Sequence, residues 1–538
     1  MPLPTLPSSL LFQVSLLLAQ ITHVAADAAV ITDAEAYNRG DYGQWPTQAY
    51  HTLKIKTPRW FVHHFDRDHV SPETHLFMAP IIPGQSRTPM IFDASDLSLV
   101  YADPSWDGGN DAKIQWYQDK PYLTFFSGQD FTTHASGGGV MIDNSYKSAF
   151  NITTVGLPTG ADNHEFQLTP DGGALVNNYH NIEMNTTSMG GPENGLVKTC
   201  AFQEVDIYTN ELRFSWKALD HFKITESLGD KYYDDVGGWD WFHMNAISKT
   251  PKGDYLISVR HLKMIALISG KDGHVMWQIG GVNNSFKDLS EGRATNFGFQ
   301  HNARFVDETM TELTLFDNQA MHPNSESPGC KERCSRGLRI RLDYVNMTAQ
   351  VVSELWHPHS VQAWAEGGYH LLPNGHAMLA WGVVPSFTEH GPRGEVLMNI
   401  QSAAWSTIKD GGDHMYRVYK ANWTGTPEWG PSIAVADSLV CVSWNGATEV
   451  KLWALYSGNK RTDVNVPATI VHKKGFETCI TRPANAPFLR AEALDKDGKS
   501  LRETQVVEVP EGRLRPVGLG PRHHHHHHNH AHARGFTP

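Results

Sequence analysis

All-β architecture is predicted for this chain by three observations. From about residue 61 to 428, short apolar runs alternate with turn signals roughly every 8–12 residues. Three histidines stand at the starts of such runs: His164 in Asp-Asn-His-Glu-Phe, His243 in Trp-Phe-His-Met-Asn and His301 in Phe-Gln-His-Asn-Ala-Arg. After the first two, the run enters a Pro-x-Gly turn and a second run, Phe166–Pro170 to Gly172–Val176 and Ala246–Pro251 to Gly253–Val259. Finally, one stretch spells out a whole sheet: His243–Ser248, Gly253–Arg260, Met264–Ile268 and, after a Lys271-Asp-Gly273 turn, His274–Trp277. Four-stranded sheets repeated around an axis make a β-propeller, which keeps its edges short and protected. A sandwich of two sheets would hold the same strands but leaves the recurring histidine unexplained. Blades would aim those imidazoles into one funnel.

Taken from the N-terminus, residues 1–26 read as a secretory signal peptide. Leu10 to Ile21 form an apolar segment and Val24-Ala25-Ala26 supplies small residues for cleavage, although no Lys or Arg precedes them. About 12 apolar residues are too few to span a bilayer, and no later stretch is long enough, so no stable membrane span is expected. Residues 27–60 read as an irregular N-terminal arm in which Gly40, Gly43 and Pro46 break any helix. Residues 61–428 carry the propeller pattern, with weaker copies from Gly337–Leu342 to Val351–Trp356 and from Val361–Trp364 through Leu372-Pro-Asn-Gly375 to Ala377–Trp381. Beyond Pro427, Ile433–Trp444, Thr448–Tyr456 and Phe488–Ala493 alternate without that pattern, so residues 429–512 read as a small C-terminal β-sandwich. Residues 513–538, with six consecutive histidines from His523 to His528, read as a disordered His-rich tail.

The expected location is extracellular or in the secretory pathway. Sequons at Asn151, Asn185, Asn283, Asn346 and Asn422 permit glycosylation there. Cys330 and Cys334, in a loop rich in Pro, Ser and Gly, are spaced to close a small disulfide staple. Cys441 and Cys479 can pair within the C-terminal region, which leaves Cys200 unpaired. A zinc site on Cys330 and Cys334 would lack its second pair of ligands. A net charge of −12 argues against nucleic acid as a partner, and 16 Trp with 23 Phe argue against disorder.

A histidine in a funnel can be a nucleophile, a general base, a metal ligand or a structural donor. His301 alone decides nothing, but Arg260 closes the strand that follows His243, and a guanidinium suits a tetrahedral oxyanion. Three imidazoles and one guanidinium fit a sulfate or phosphate group. A three-histidine zinc site is the competing arrangement, and a fixed cation beside a dication disfavours it. No metal or other cofactor is expected. His357-Pro-His359 has ligand spacing, but Pro358 marks a turn. Trp239, Trp241, Trp356, Trp381 and Trp423 are either substrate stackers or packing between blades. Gly498-Lys-Ser500 lacks the upstream glycine of a phosphate loop.

Read together, Phe242-His-Met-Asn245, Asp254–Arg260, Val275–Gly281, Phe299–Arg304, Leu315–Asn318 and Ser335-Arg-Gly337 resemble the arylsulfotransferase family, most closely its fungal secreted branch. Asp162-Asn-His-Glu165, Phe202-Gln-Glu204 and Ser443–Thr448 add to the likeness, which covers roughly residues 60 to 455. The resemblance implies a six-bladed propeller and sulfuryl transfer between phenols without a nucleotide-activated donor. By motif position it implies His301 as the nucleophile that becomes sulfated. His243 and Arg260 would hold the sulfuryl oxygens and His164 would assist the phenol. Asn245 and Arg336 are the further substrate-binding candidates. Sulfuryl transfer has a loose transition state like phosphoryl transfer, so positioning and cationic stabilisation do most of the catalysis. Two other functions fit the same scaffold: a tailoring enzyme of fungal secondary metabolism (a cyclase or hydrolase), or a non-catalytic binding propeller at the cell surface.

Overall fold

The computed structural model describes residues 23–25, 27–131, 134–234, 237–323, 327–409 and 414–510. Six antiparallel sheets follow one another along the chain as the blades of a β-propeller. Blade 1 is His75–Met78, Met90–Asp93 and Leu99–Ala102, with Tyr419–Ala421 added from the far end of the propeller as its inner strand. Blade 2 runs from Lys113–Tyr117 to Ser148–Ile152, and blade 3 from Phe166–Leu168 to Leu212–Lys217. Blade 4 comprises Met244–Lys249, Tyr255–Val259, Met264–Ile268 and Val275–Gly280, the unit most legible in the sequence. Blade 5 runs from His301–Phe305 to Thr348–Trp356, and blade 6 from Gly368–Leu371 to Val396–Gln401, where Phe61–Phe65 pairs along its outer edge. The ring closes where Gly367 donates its N–H to the Tyr416 carbonyl.

The Pro-x-Gly signals work as turns for a steric reason. Gly172 (φ 84°) and Gly253 (φ 86°) are left-handed, and their N–H groups return to the carbonyls of Thr169 and Thr250. Between blades 3 and 4 the core is aromatic: Phe202, Trp216 and Tyr255 pack with Trp239, Trp241 and Phe242. Burying each such side chain contributes about 1.5–3 kcal/mol.

Two local expectations need correction. The N-terminal arm is not irregular throughout: Ala34–Arg39 is a short helix, N-capped by Asp33 and ended by left-handed Gly40, so that glycine terminates a helix rather than preventing one. Thr47–Ala49 and Lys56–Pro58 then form a hairpin. Val361–Trp364 is a connection rather than a strand, and the inner strand of blade 6 is Gly368–Leu371.

C-terminal to the propeller, Ser432–Ala436, Leu439–Ser443 and Thr478–Thr481 make one sheet. Leu452–Gly458, Val466–His472, Phe488–Leu494 and Ser500–Glu503 make another. Val440, Val442 and Ile480 of the first share a core with Trp453, Leu455 and Leu489 of the second. Cys441 and Cys479 are bonded across neighbouring strands, Cys330 and Cys334 close the loop before blade 5's third strand, and Cys200 is free and buried. Of the expected leader only residues 23–25 are described, where His23–Ala25 pairs with Thr478–Ile480. The His-rich tail lies outside the described residues. All five sequon asparagines are exposed. No helix among the described residues is long and apolar enough to cross a membrane.

Candidate active site

The three histidines converge because each stands at or just before the same end of an inner strand. His164 (7 % exposed), His243 (6 %) and His301 (2 %) all lie within the funnel wall, with Arg260 (7 %) at the end of the second strand of blade 4. His243 adopts a left-handed backbone (φ 59°), a conformation uncommon outside glycine and concentrated at functional sites.

Hydrogen bonding fixes the protons of the first two rings. His164 Nδ1 meets the carboxylate of Asp162, and His243 Nδ1 meets that of Asp240. A carboxylate only accepts, so both Nδ1 atoms carry hydrogen. The two Nε2 atoms then face each other at 3.1 Å. Two lone pairs would repel at that distance, so the pair holds one further proton and one ring is an imidazolium. Burial, reinforced by the neighbouring His164 and His261, holds His243 well below the usual histidine range despite Asp240. A proton there is shared between the two Nε2 atoms.

His301 is set up the opposite way. Its Nδ1 lies 2.8 Å from Asn318 Oδ1. The Asn318 amide donates through Nδ2 to the carbonyls of Ala363 and Glu366, both at 2.9 Å, so its oxygen must face the ring. His301 thus donates from Nδ1, and its Nε2 keeps a free lone pair. Burial and then the positive charge of Arg260 hold His301 well below the usual range, so the ring is neutral. The Tyr416 ring stands edge-on to both His164 and His301, with centroids at 5.9 and 6.4 Å. Its hydroxyl donates to the His164 carbonyl. Arg260 is oriented from behind, with Nη1 donating to His261 Nε2 (2.6 Å) and Nη2 to the Trp364 carbonyl (2.8 Å). His261 can accept because burial lowers it to about 4 and its Nδ1 donates to the Asp240 carbonyl.

Several participants escaped the sequence reading: His134, Asp240, His261, Asn318 and Tyr416. His134 lies between the two carboxylates, 2.9 Å from Asp240 and 3.6 Å from Asp162. Burial opposes its charge, yet the two carboxylates raise its pKa, which favours the imidazolium. The spacing Asp162-x-His164 and Asp240-x-x-His243 was a signal for the buttressing carboxylates. Nothing local marked His134 or Tyr416. His134, Asp240 and His243 bring their ligand atoms within 4.8 Å of one another, as do His134, Asp162 and His164. In both sets the carboxylates already accept from imidazole N–H groups.

Other candidates lie elsewhere. Arg336 does not line the site: its guanidinium is saturated by Asp317, Glu354 and the Arg293 carbonyl within blade 5. Asn245 is fully buried and donates to the Gln300 carbonyl at 2.7 Å, tying blade 4 to the approach to His301. Trp239, Trp241, Trp381 and Trp423 are core residues, and Trp356 is exposed. His357 accepts the His359 N–H at its Nδ1 and contacts Ser386 through Nε2.

Comparison with solved structures gives three distant likenesses. A protein of unknown function from Bacteroides caccae is 14% identical (TM-score 0.37; 64% of this chain and 98% of that one). A putative 6-phosphogluconolactonase from Bacteroides fragilis is 11% identical (TM-score 0.34; 65% and 98%). The Myceliophteria thermophila Cps50 (Swd1) β-propeller domain is 9% identical (TM-score 0.31; 76% and 99%). Likeness at this level says nothing about chemistry. Comparison with the curated proteins finds no match. The family model for arylsulfotransferase (ASST), however, matches residues 113–403, more than half of the chain and all four of His164, His243, Arg260 and His301. The chain belongs to the arylsulfotransferase family, and its function is arylsulfotransferase-like, with phenolic substrates.

Proposed function

We propose that this protein transfers a sulfuryl group between phenolic compounds through a sulfated His301. The observation that carries the reading is the Asn318 amide, whose two donated bonds leave His301 Nε2 as a neutral, free nucleophile. In the first half-reaction, Nε2 attacks the sulfur of an aryl sulfate and a nitrogen–sulfur bond forms. The sulfur–oxygen bond to the arene breaks, and the departing phenolate takes the proton of His164. In the second, an acceptor phenol returns its proton to His164 as its oxygen attacks the same sulfur, which frees His301. In this scheme the proton held between His164 and His243 and the guanidinium of Arg260 would stabilise the charge that develops on the sulfuryl oxygens, and His243 would hold the His164 ring in place. No nucleotide donor and no metal enters this scheme. We further propose a secreted protein of the fungal branch, supported by the leader-like N-terminus, the exposed sequons and the two disulfides.

The test is intact-protein mass after incubation with 4-nitrophenyl sulfate and no acceptor. A gain of one sulfuryl group, absent in His301→Ala, is expected. Nitrophenol release without an adduct would indicate hydrolysis instead. Neither signal would defeat sulfuryl transfer and leave the tailoring or binding functions.

A further inference from the structure

A second cavity opens on the same face of the propeller, between blades 4 and 5. It measures about 470 Å³, the size of a site for a small aromatic molecule. Its polar lining is cationic and neutral: Lys263, Arg333, Asn296 and Gln319, with Leu228 and Phe297 as the apolar part. Among the described residues the lining includes no carboxylate. Asp317 lies close by, but it already accepts from Arg336, Gln319 and the Gly298 N–H.

Among the described residues neither cation is in an ion pair, although the Asp317 carboxylate acts on Lys263 at longer range. Among the described residues Lys263 makes no ion pair, and its Nζ lies 4.5 Å from the centre of the Phe299 ring. Arg333, an exposed residue, makes one long contact among the described residues, 3.5 Å to Gln319 Oε1. Burial and then the like charge of Arg333 lower the Lys263 pKa, as expected for an ammonium held beside a second cation. Lys263, Phe299, Gln319 and Arg333 are all left-handed (φ 49°, 56°, 62° and 55°), so four strained non-glycine residues border one cavity. The Lys263 stem is laid over Gly298, whose added Cβ would meet Lys263 Cδ at 3.6 Å. Phe299 also joins the cavity to the active site, since Arg260 Cζ lies 5.7 Å from the same ring and His301 is two residues on.

We propose that this cavity is an anion site that takes the acidic substituent of an aryl substrate: a carboxylate, sulfate or phosphate group. The arene would rest on Leu228 and Phe297 while Lys263 and Arg333 hold the charge. The inference rests on the sulfuryl-transfer reading only for the nature of the arene.

Calorimetric titration of the full chain with 4-sulfooxybenzoate, phenyl sulfate and inorganic sulfate tests it without requiring turnover. The doubly anionic arene should bind wild type and His301→Ala alike. In Lys263→Met or Arg333→Gln its affinity should fall about tenfold or more, the scale of one charge-assisted hydrogen bond, with unchanged thermal melting. Phenyl sulfate, lacking the second charge, should bind all variants equally, and in turnover Lys263→Met should raise KM for 4-sulfooxybenzoate alone. If inorganic sulfate alone loses affinity in the Lys263 and Arg333 variants, the site holds free sulfate and the substituent assignment falls. If no ligand distinguishes those variants from wild type, the cavity is not an anion site. Failure of sulfuryl transfer itself would appear instead as binding without an adduct on His301.

Discussion

Two polar clusters are buried around the funnel of this propeller, and they are built to opposite rules. In one, Asp111, Lys113, Glu165, Arg304, Arg417 and Tyr419 are fastened to one another. Glu165 accepts from Lys113 (3.1 Å), Arg304 (2.6 Å) and Arg417 (3.3 Å), and Asp111 from Lys113 (2.6 Å) and Arg417 (2.8 Å). These residues come from blades 1, 2, 3 and 5 and the segments leading into them, and the Ile247 N–H adds blade 4. The other cluster leaves unspent the lone pair of His301 and the proton between His164 and His243, and among the described residues Arg260 Nε and Asp240 Oδ1 are buried there without a hydrogen-bond partner. Saturation is what a structural axle needs, because an unpaired buried charge is costly. An unspent lone pair beside a mobile proton is what nucleophilic catalysis needs. His164 and Glu165, adjacent in sequence, serve one cluster each.

The largest effect expected is on chemistry. His301→Ala should abolish adduct formation, on the order of 10⁴-fold or more in transfer rate, while its denaturation midpoint stays near wild type. Retained transfer would move the nucleophile elsewhere and dissolve the contrast. Glu165→Gln should do the reverse and act on the fold. Removing one charge of the axle leaves Arg304 and Arg417 under-compensated and should cost about 3–5 kcal/mol in equilibrium unfolding. A loss below about 1 kcal/mol would show that the axle is not structural.

Asn318→Leu sharpens the assignment of the tautomer. Without the amide oxygen, His301 is free to place its proton on Nε2, and adduct formation should slow by about 10- to 100-fold, as for other residues that orient a ligand ring. Asn318→Asp keeps an acceptor and should recover part of the rate, which a merely structural role would not predict. Acid stability gives the smallest effect per group. His301, His243 and His261 all have native pKa values below the unfolded 6.5, with His261 at about 4. The unfolded chain therefore binds more protons in that window, so stability is present above 6.5 and falls as pH drops towards 4. The slope is about 1.4 kcal/mol per pH unit for each such ring, and melting temperatures from pH 7 to 4.5 would measure it. Down to pH 6 the adduct-forming rate should show no loss on the acid side, because His301 remains neutral. A midpoint near 6.5 would mean an ordinary, solvated histidine.

What could be read along the chain was whatever depends on neighbours in sequence. Alternation, Pro-x-Gly turns and the histidine at or just before three of the inner strands are local, so blade 4 was legible nearly residue by residue. His164, His243, Arg260 and His301 were identifiable because they sit within motifs. Arg336 was misread for the same reason: its motif is local, but Asp317 and Glu354 on adjacent strands decide where its guanidinium goes. Only the closed ring brings Tyr416 between His164 and His301, although it lies 252 residues from the one and 115 from the other. Likewise only the ring places His134 between Asp162 and Asp240 and seats Asn318 on the carbonyls of the next blade. Which nitrogen of a histidine bears its proton is a property of the group opposite it, and sequence order carries no record of what stands opposite.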